Sequence, residues 1–312
     1  MAQEKIWKTH KRKHLEYHAW RPRKEYYGEL EQFDGSYHLW FENRFLDMQG
    51  NPIEICLLAA IDDATGKITK AVFAQNEGVH AVFTFWKEYC EELGKPLGIY
   101  LDKFSTYKIN HKAAVDNHEL MTQFQRALKE IQITLIHAHS PQAKGRIERL
   151  FLTLQDRLVK DMRLANVSSP EAGNHFLTKV FLPNFNKKFS VIPTKEGSVH
   201  RILNGHEKKQ LNHIFSIHET RRINNDFTIQ FKNTWYQLAE IQPLTVRPQE
   251  IVLVETWLDG SIHLLLRQQE LAWITLPEKP KKQSAKQPTI LTSHQLNWKP
   301  PSNHPWRKYP NT

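Results

Sequence analysis

The chain has 312 residues, 40% of them aliphatic or aromatic, enough for one large domain and a smaller one. Lys and Arg outnumber Asp and Glu by 43 to 33, and the net charge of +10 favours a polyanionic partner. No apolar run nears the ~18 residues of a membrane span, no apolar secretory core opens the chain, and two lone cysteines, Cys56 and Cys90, exclude a disulfide framework or a zinc knuckle. Both cysteines read as buried thiols of a cytoplasmic protein.

Residues 1–27 are polar and basic and read as a linker or arm. Residues 30–41, 53–61 and 67–74 form a predicted three-stranded meander, with Asp62, Asp63, Thr65 and Gly66 making its second turn. Apolar residues at helical spacing predict a helix over 78–93, stopped by Gly94. A short strand over 96–102 ends in Asp102. A helix over 119–131, a strand over 132–138, a long helix over 142–164 and another over 171–188 follow. The order β-β-β-α-β-α-β-α-α predicts an α/β domain, a mixed sheet with helices on its faces. Short β-like runs over 212–275, among them Leu244–Pro248, predict a small all-β barrel. Residues 277–312 are rich in Lys, Pro, Gln and Ser without periodicity and are expected to be disordered. The expected division is therefore 1–27 arm, 28–205 core, 206–276 barrel and 277–312 basic tail.

Three acidic residues stand on these elements. Asp34 is mid-strand, Asp102 ends a strand, and Glu148 sits beside the stripe Ile147, Leu150, Phe151, Leu154, Leu158 and Met162 of the long helix. The first and fourth strands of such a sheet are often neighbours, which would bring the two aspartates together, and a helix packed on the sheet could present the glutamate. Two metal ions about 4 Å apart, held by hard oxygen ligands, can activate an attacking oxygen and stabilise a leaving one in phosphoryl transfer. Each acid also has a plain reading. Asp34-Gly35 is a hairpin signal, Asp102 could simply end its strand, and Glu148 could pair with Lys144 four residues earlier. Asp62 and Asp63 are rival acids in a turn, where aspartate is common. His137 and His139 share a strand face but lack an apparent third metal ligand. Trp235, Tyr236 and Trp257 read as core residues of the barrel.

Four stretches carry a resemblance: residues 28–42 (GELEQFDGSYHLWFE), 57–68 (LLAAIDDATGKI), 100–110 (YLDKFSTYKIN) and 139–165 (HSPQAKGRIERLFLTLQDRLVKDMRLA). Over about residues 28–240 the chain resembles the DDE transposases of bacterial insertion sequences, particularly the ISNCY group of the retroviral-integrase-like superfamily. The resemblance implies an RNase H-like catalytic core and makes Asp34, Asp102 and Glu148 the catalytic, metal-binding triad for two Mg²⁺ ions, with Mn²⁺ as a substitute. It implies hydrolysis of a phosphodiester at a transposon end. The freed 3′-hydroxyl then attacks target DNA, with no covalent enzyme intermediate. Lys144, Arg146 and Arg149, close to Glu148 on the helix, are expected to contact DNA phosphates; their plain reading is solvated helix charge. The partners implied are transposon ends and a target duplex, bound by a multimer in the bacterial cytoplasm at the nucleoid. Transposases of this group carry helix-turn-helix segments ahead of the core, and nothing helical of that kind fits before residue 28. The sequence therefore reads as a catalytic fragment or a truncated copy. Its rivals are a simple metal-dependent nuclease and a non-catalytic DNA-binding remnant.

Overall fold

The computed structural model describes residues 22–102, 117–138, 145–278 and 301–305. Most of the basic arm, His139, the Ser140-Pro141 helix opening, Lys144 and most of the carboxy-terminal tail lie outside the described residues. By internal packing the chain divides into two units, residues 1–220 with 252–270, and residues 221–251 with 271–312.

The first unit is organised by a five-stranded sheet. Strands β1 (Glu31–His38), β2 (Ile55–Asp62) and β3 (Ile68–Ala74) form the expected meander, antiparallel throughout. Strand β4 (Gly98–Asp102) pairs parallel with β1, and β5 (Thr134–Ala138) pairs parallel with β4. The order is β3-β2-β1-β4-β5, so the first and fourth strands are neighbours. Every residue of β2 is buried, because this strand has helices over both faces.

Alternation along the strands sorts the side chains into two cores. Phe33, Cys56, Leu58, Ala60, Ile99 and Leu101 pack with α1 (Val79–Leu93) and α2 (Asn117–Glu130). Leu57, Ala59 and Ile61 pack on the opposite face with α3 (Gly145–Leu164), whose buried stripe is the one expected from its periodicity. A mixed sheet flanked by helices in this order fits an RNase H-like fold. Cys56 and Cys90 are buried and free, and burial is the main reason the Cys90 thiol is pushed up to about 12.

The helix expected over 171–188 is three joined pieces: α4 (Pro170–Phe176), a π-helical turn (Leu177–Phe181) and α5 (Leu182–Phe189). The Ser169 side chain accepts from the Ala172 N–H at 3.2 Å and caps the start, with Pro170 in the first turn. Two asparagines fasten this helical layer to the edge strand β3. Asn174 bonds both the N–H and the carbonyl of Phe73 at 2.7 and 3.2 Å, and Asn186 does the same to Ile68 at 2.9 Å. Gly173 allows the close approach, since a Cβ there would sit 2.9 Å from the rings of Phe41 and Phe73. Gly173→Ala is expected to destabilise the protein by ~1–3 kcal/mol through overpacking, measured as a lower urea midpoint. An unchanged midpoint would show that the two rings move aside freely.

No closed barrel forms among the described residues, and this corrects the expectation for the carboxy-terminal part. Strands β6 (Ile217–Arg222), β9 (Ile251–Thr256), β10 (Ile262–Leu266) and β11 (Gln269–Glu270) make one open sheet, ordered β11-β10-β9-β6. Strands β7 (Thr228–Phe231), β8 (Thr234–Leu238) and β12 (Trp273–Leu276) make another, ordered β12-β8-β7, in the second unit. The run 244–248 is not a strand. Pro243 and Pro248 flank it and withdraw the ladder donors that closure of a sheet requires. Asp259-Gly260 is the expected hairpin turn between β9 and β10, with Gly260 at φ +82°. Ahead of these strands lies an unexpected helix, α6 (Gly205–Ile214), opened by a reciprocal cap in which Asn204 and Glu207 bond each other's backbone N–H.

Candidate functional site

Asp34 lies inside β1 opposite Ala59 of β2 and is half-buried, so Asp34-Gly35 is strand and not a turn. The glycine answers to packing on the other face, where a Cβ would fall 2.7 Å from Glu77 Oε2 and 3.0 Å from Cys56 Sγ. On the β4 side, Gln32 is paired with Tyr100. The parallel pairing of β1 with β4 runs over Glu31–Ile99 and Gln32–Tyr100, and Asp34 and Asp102 each come two residues further along their own strand. On β1, strand alternation puts Asp34 on the same face as Gln32, away from α1 and α2.

The helix α3 crosses this same face alongside β1. The Ile147 N–H donates to Gln32 Oε1 at 3.3 Å, and Gln155 Nε2 donates to Ser36 Oγ at 3.3 Å. The two contacts bracket Asp34, one residue pair before it and one after. Glu148 is exposed in the first turn of α3 and precedes Gln155 by seven residues, two helical turns, so it lies on the side of the helix that meets β1. Asp34 on β1, Asp102 at the end of the neighbouring strand β4 and Glu148 on the helix packed over β1 are thus carried by elements next to one another. Such a set offers hard carboxylate oxygens with an exposed member at the rim, which fits the donor chemistry of Mg²⁺.

The basic residues beside Glu148 have different surroundings. Arg146 forms an ion pair with Asp63, whose side chain is wholly buried. Arg149 is exposed, and its Nε donates to the Gly145 carbonyl at 2.6 Å.

Asp62 and Asp63 do lie where β2 turns toward β3, but both are buried at 0% exposure and are not surface turn acids. Asp62 accepts from the Gly28 N–H at 2.9 Å and from the Thr65 N–H and hydroxyl at 2.7 and 2.6 Å. Asp63 accepts from Gln32 Nε2 at 2.7 Å and from the Lys24 N–H at 2.9 Å, besides pairing with Arg146. Gln32 in turn receives the Ile147 N–H. A single buried polar chain, Asp63–Gln32–Ile147 with Arg146 closing it, therefore fixes where α3 begins relative to β1. The sequence held one hint of it, the adjacency of two aspartates to Thr65, which is equally a turn signal.

Glu31, at the foot of β1, is fully buried and accepts from the Thr69 hydroxyl at 2.7 Å. Burial holds its carboxyl well above the ordinary value of 4.5, and the charges of Asp62 and Asp63 add to the shift. The folded protein therefore keeps a proton that the unfolded chain releases, so stability falls as pH rises above about 4.5 and is lowest above the folded-state value. Glu31→Gln is expected to flatten this decline, seen by urea denaturation from mildly acid to mildly alkaline pH. Parallel pH profiles for variant and parent would remove Glu31 as the source.

Comparison with known proteins places the chain beside mobile-element enzymes. No family model matches it. It is 36% identical over 262 residues to y4bF of Sinorhizobium fredii, a transposase by name; the match covers 84% of this chain and 55% of the relative. It is 30% identical over 299 residues to the transposase for insertion sequence IS1202 of Streptococcus pneumoniae, covering 93% of this chain and 60% of the relative. The chain thus spans somewhat more than half the length of the curated relatives it matches. Among solved structures, the HTLV-2 integrase catalytic core domain in complex with magnesium shares 16% identity over 49% of this chain and 84% of its own, with a TM-score of 0.36. A chain of the simian T-cell lymphotropic virus intasome shares 14% identity, with 82% of each covered and a TM-score of 0.37. Likenesses of that depth carry no argument here.

Proposed function

We propose that the chain, which is similar to these two transposases, is the catalytic portion of a DDE-type enzyme that cuts and joins DNA strands. What supports the reading is the placement of Asp34 on β1 and of Asp102 at the end of its parallel neighbour β4, with Glu148 on the helix laid over β1. In this reading the three carboxylates hold two Mg²⁺ ions, for which Mn²⁺ substitutes. The metal supplies charge neutralisation at an in-line phosphoryl transfer.

The protein's own work is positioning. Neighbouring strands β1 and β4 carry two of the carboxylates, and the Gln32–Asp63–Arg146 chain fixes the start of α3 and thereby the position of the third. In the first reaction a water oxygen bonds to phosphorus at the transposon end, the bond to the 3′-oxygen breaks, and that oxygen leaves as a hydroxyl. In the second, this hydroxyl bonds to a target phosphorus and the target's own 3′-oxygen departs. Arg149 and Lys144 contact phosphates, while Arg146 chiefly anchors α3 through Asp63. Transposon ends and a target duplex are the partners, held by a multimer. Among the described residues no helix is long and apolar enough to cross a membrane.

The test uses a pre-cut DNA end, a target duplex and Mg²⁺ or Mn²⁺. Joined product supports the proposal. Cutting without joining would make the protein a nuclease, and gel retardation without either would make it a DNA-binding remnant.

A further inference from the structure

A second group of metal-capable side chains lies apart from the three acids, and it uses different chemistry. His213 near the end of α6, His218 in β6 and Glu255 in β9 bring two imidazoles and one carboxylate together, with one donor atom from each lying within 4.8 Å of the others. His213 Nδ1 is 2.5 Å from Glu255 Oε1, and His218 Nε2 is 3.6 Å from the same oxygen. Donors around a tetrahedral ion at ~2.0–2.1 Å lie roughly 3.4 Å apart, so a small spreading of the His213–Glu255 pair would admit one.

The surroundings are those of a built site. Glu255 is 1% exposed, and its second oxygen accepts from Trp257 Nε1 at 3.0 Å, which orients the carboxylate. The far nitrogen of His213, Nε2, faces Glu130 Oε2 at 4.0 Å. Without an ion Nδ1 donates to Glu255; with an ion bound in its place, the Glu130 carboxylate would favour the proton on Nε2 and leave Nδ1 to ligate, the arrangement typical of metal-bound histidine. His218 Nε2 donates to the His213 carbonyl at 3.1 Å, a hydrogen bond that an ion bound at this nitrogen would replace. The nearby cation Arg126 is occupied by Glu130 and by the Ser216 carbonyl. His213 remains 34% exposed while His218 is 10% exposed, so an ion could enter past His213 and leave a solvent ligand there.

We propose that His213, His218 and Glu255 form a structural Zn²⁺ site that ties α6 and β6 to β9. Two imidazoles and one carboxylate select a borderline ion such as Zn²⁺ over Mg²⁺, which prefers oxygen alone. The site is independent of the acids on β1, β4 and α3.

The experiment strips the full-length chain with a chelator, then measures Zn²⁺ binding by calorimetry in excess Mg²⁺, alongside the visible spectrum with Co²⁺. One equivalent of Zn²⁺ and the intense Co²⁺ bands of low coordination with nitrogen ligands are expected. His218→Ala should weaken Zn²⁺ binding by at least ~100-fold and Glu130→Gln by roughly 10–100-fold, whereas Asp34→Asn should leave it unchanged. If His218→Ala fails to fold, the parent's Co²⁺ spectrum decides. Only weak octahedral bands, no Zn²⁺ retained against Mg²⁺, or loss of the site in Asp34→Asn would overturn the proposal.

Discussion

Asp102→Asn and Asp34→Asn are each expected to lower strand cutting and joining by at least ~10³-fold, about 4 kcal/mol of lost transition-state stabilisation, with little change in DNA affinity. The amide keeps the volume of the carboxylate and removes its charge. In the proposed site, that loss leaves a dication with one anionic ligand from the sheet in place of two. Phosphate contacts and the chain's net positive charge govern affinity, and neither changes. The measurement is product formation on a pre-cut end at saturating Mg²⁺, beside gel retardation of the same duplex. A variant within about threefold of the parent rate would remove that aspartate from the site.

Asp63→Ala is expected to be the most damaging single change to stability, at ~3–5 kcal/mol, because it strands a partly buried guanidinium and a buried amide donor. Asp63 is wholly buried and serves Arg146, Gln32 Nε2 and the Lys24 N–H at once. Its loss also frees the start of α3, so residual activity should fall further than the unfolded fraction accounts for. Urea denaturation measures the first effect, and the rate per folded molecule measures the second. A destabilisation below about 1 kcal/mol, the range of an exposed ion pair, would mean that water replaces the carboxylate at no great cost.

Periodicity made the five-stranded sheet and its flanking helices legible. The apolar run 53–61, the helical spacing at 78–93 and the stripe from Ile147 to Met162 each name their element, and the β-β-β-α-β order then brings the first and fourth strands together. Asp62 and Asp63 were harder to interpret. A turn and a buried polar network use the same residues, and what buries these two is the distant 24–28 segment and α3. The helix α6 had a readable start in Asn204 and Glu207, yet its weak apolar pattern hid it among short strand-like runs. The two open sheets could not be told from a barrel, since closure depends on pairing between strands far apart in the chain. For the same reason His213, His218 and Glu255 did not stand out; the carboxylate comes 37 positions after the second imidazole (255 − 218).

The amide side chains of Asn174 and Asn186 have a bearing on assembly. By bonding the outward N–H and carbonyl of Phe73 and Ile68, they take up the positions that a neighbouring strand would use. The β3 edge is therefore closed to strand pairing at these two residues. The Asn174→Ala, Asn186→Ala double variant would expose a sticky margin at β3 and is expected to aggregate more readily than the parent, measured by light scattering.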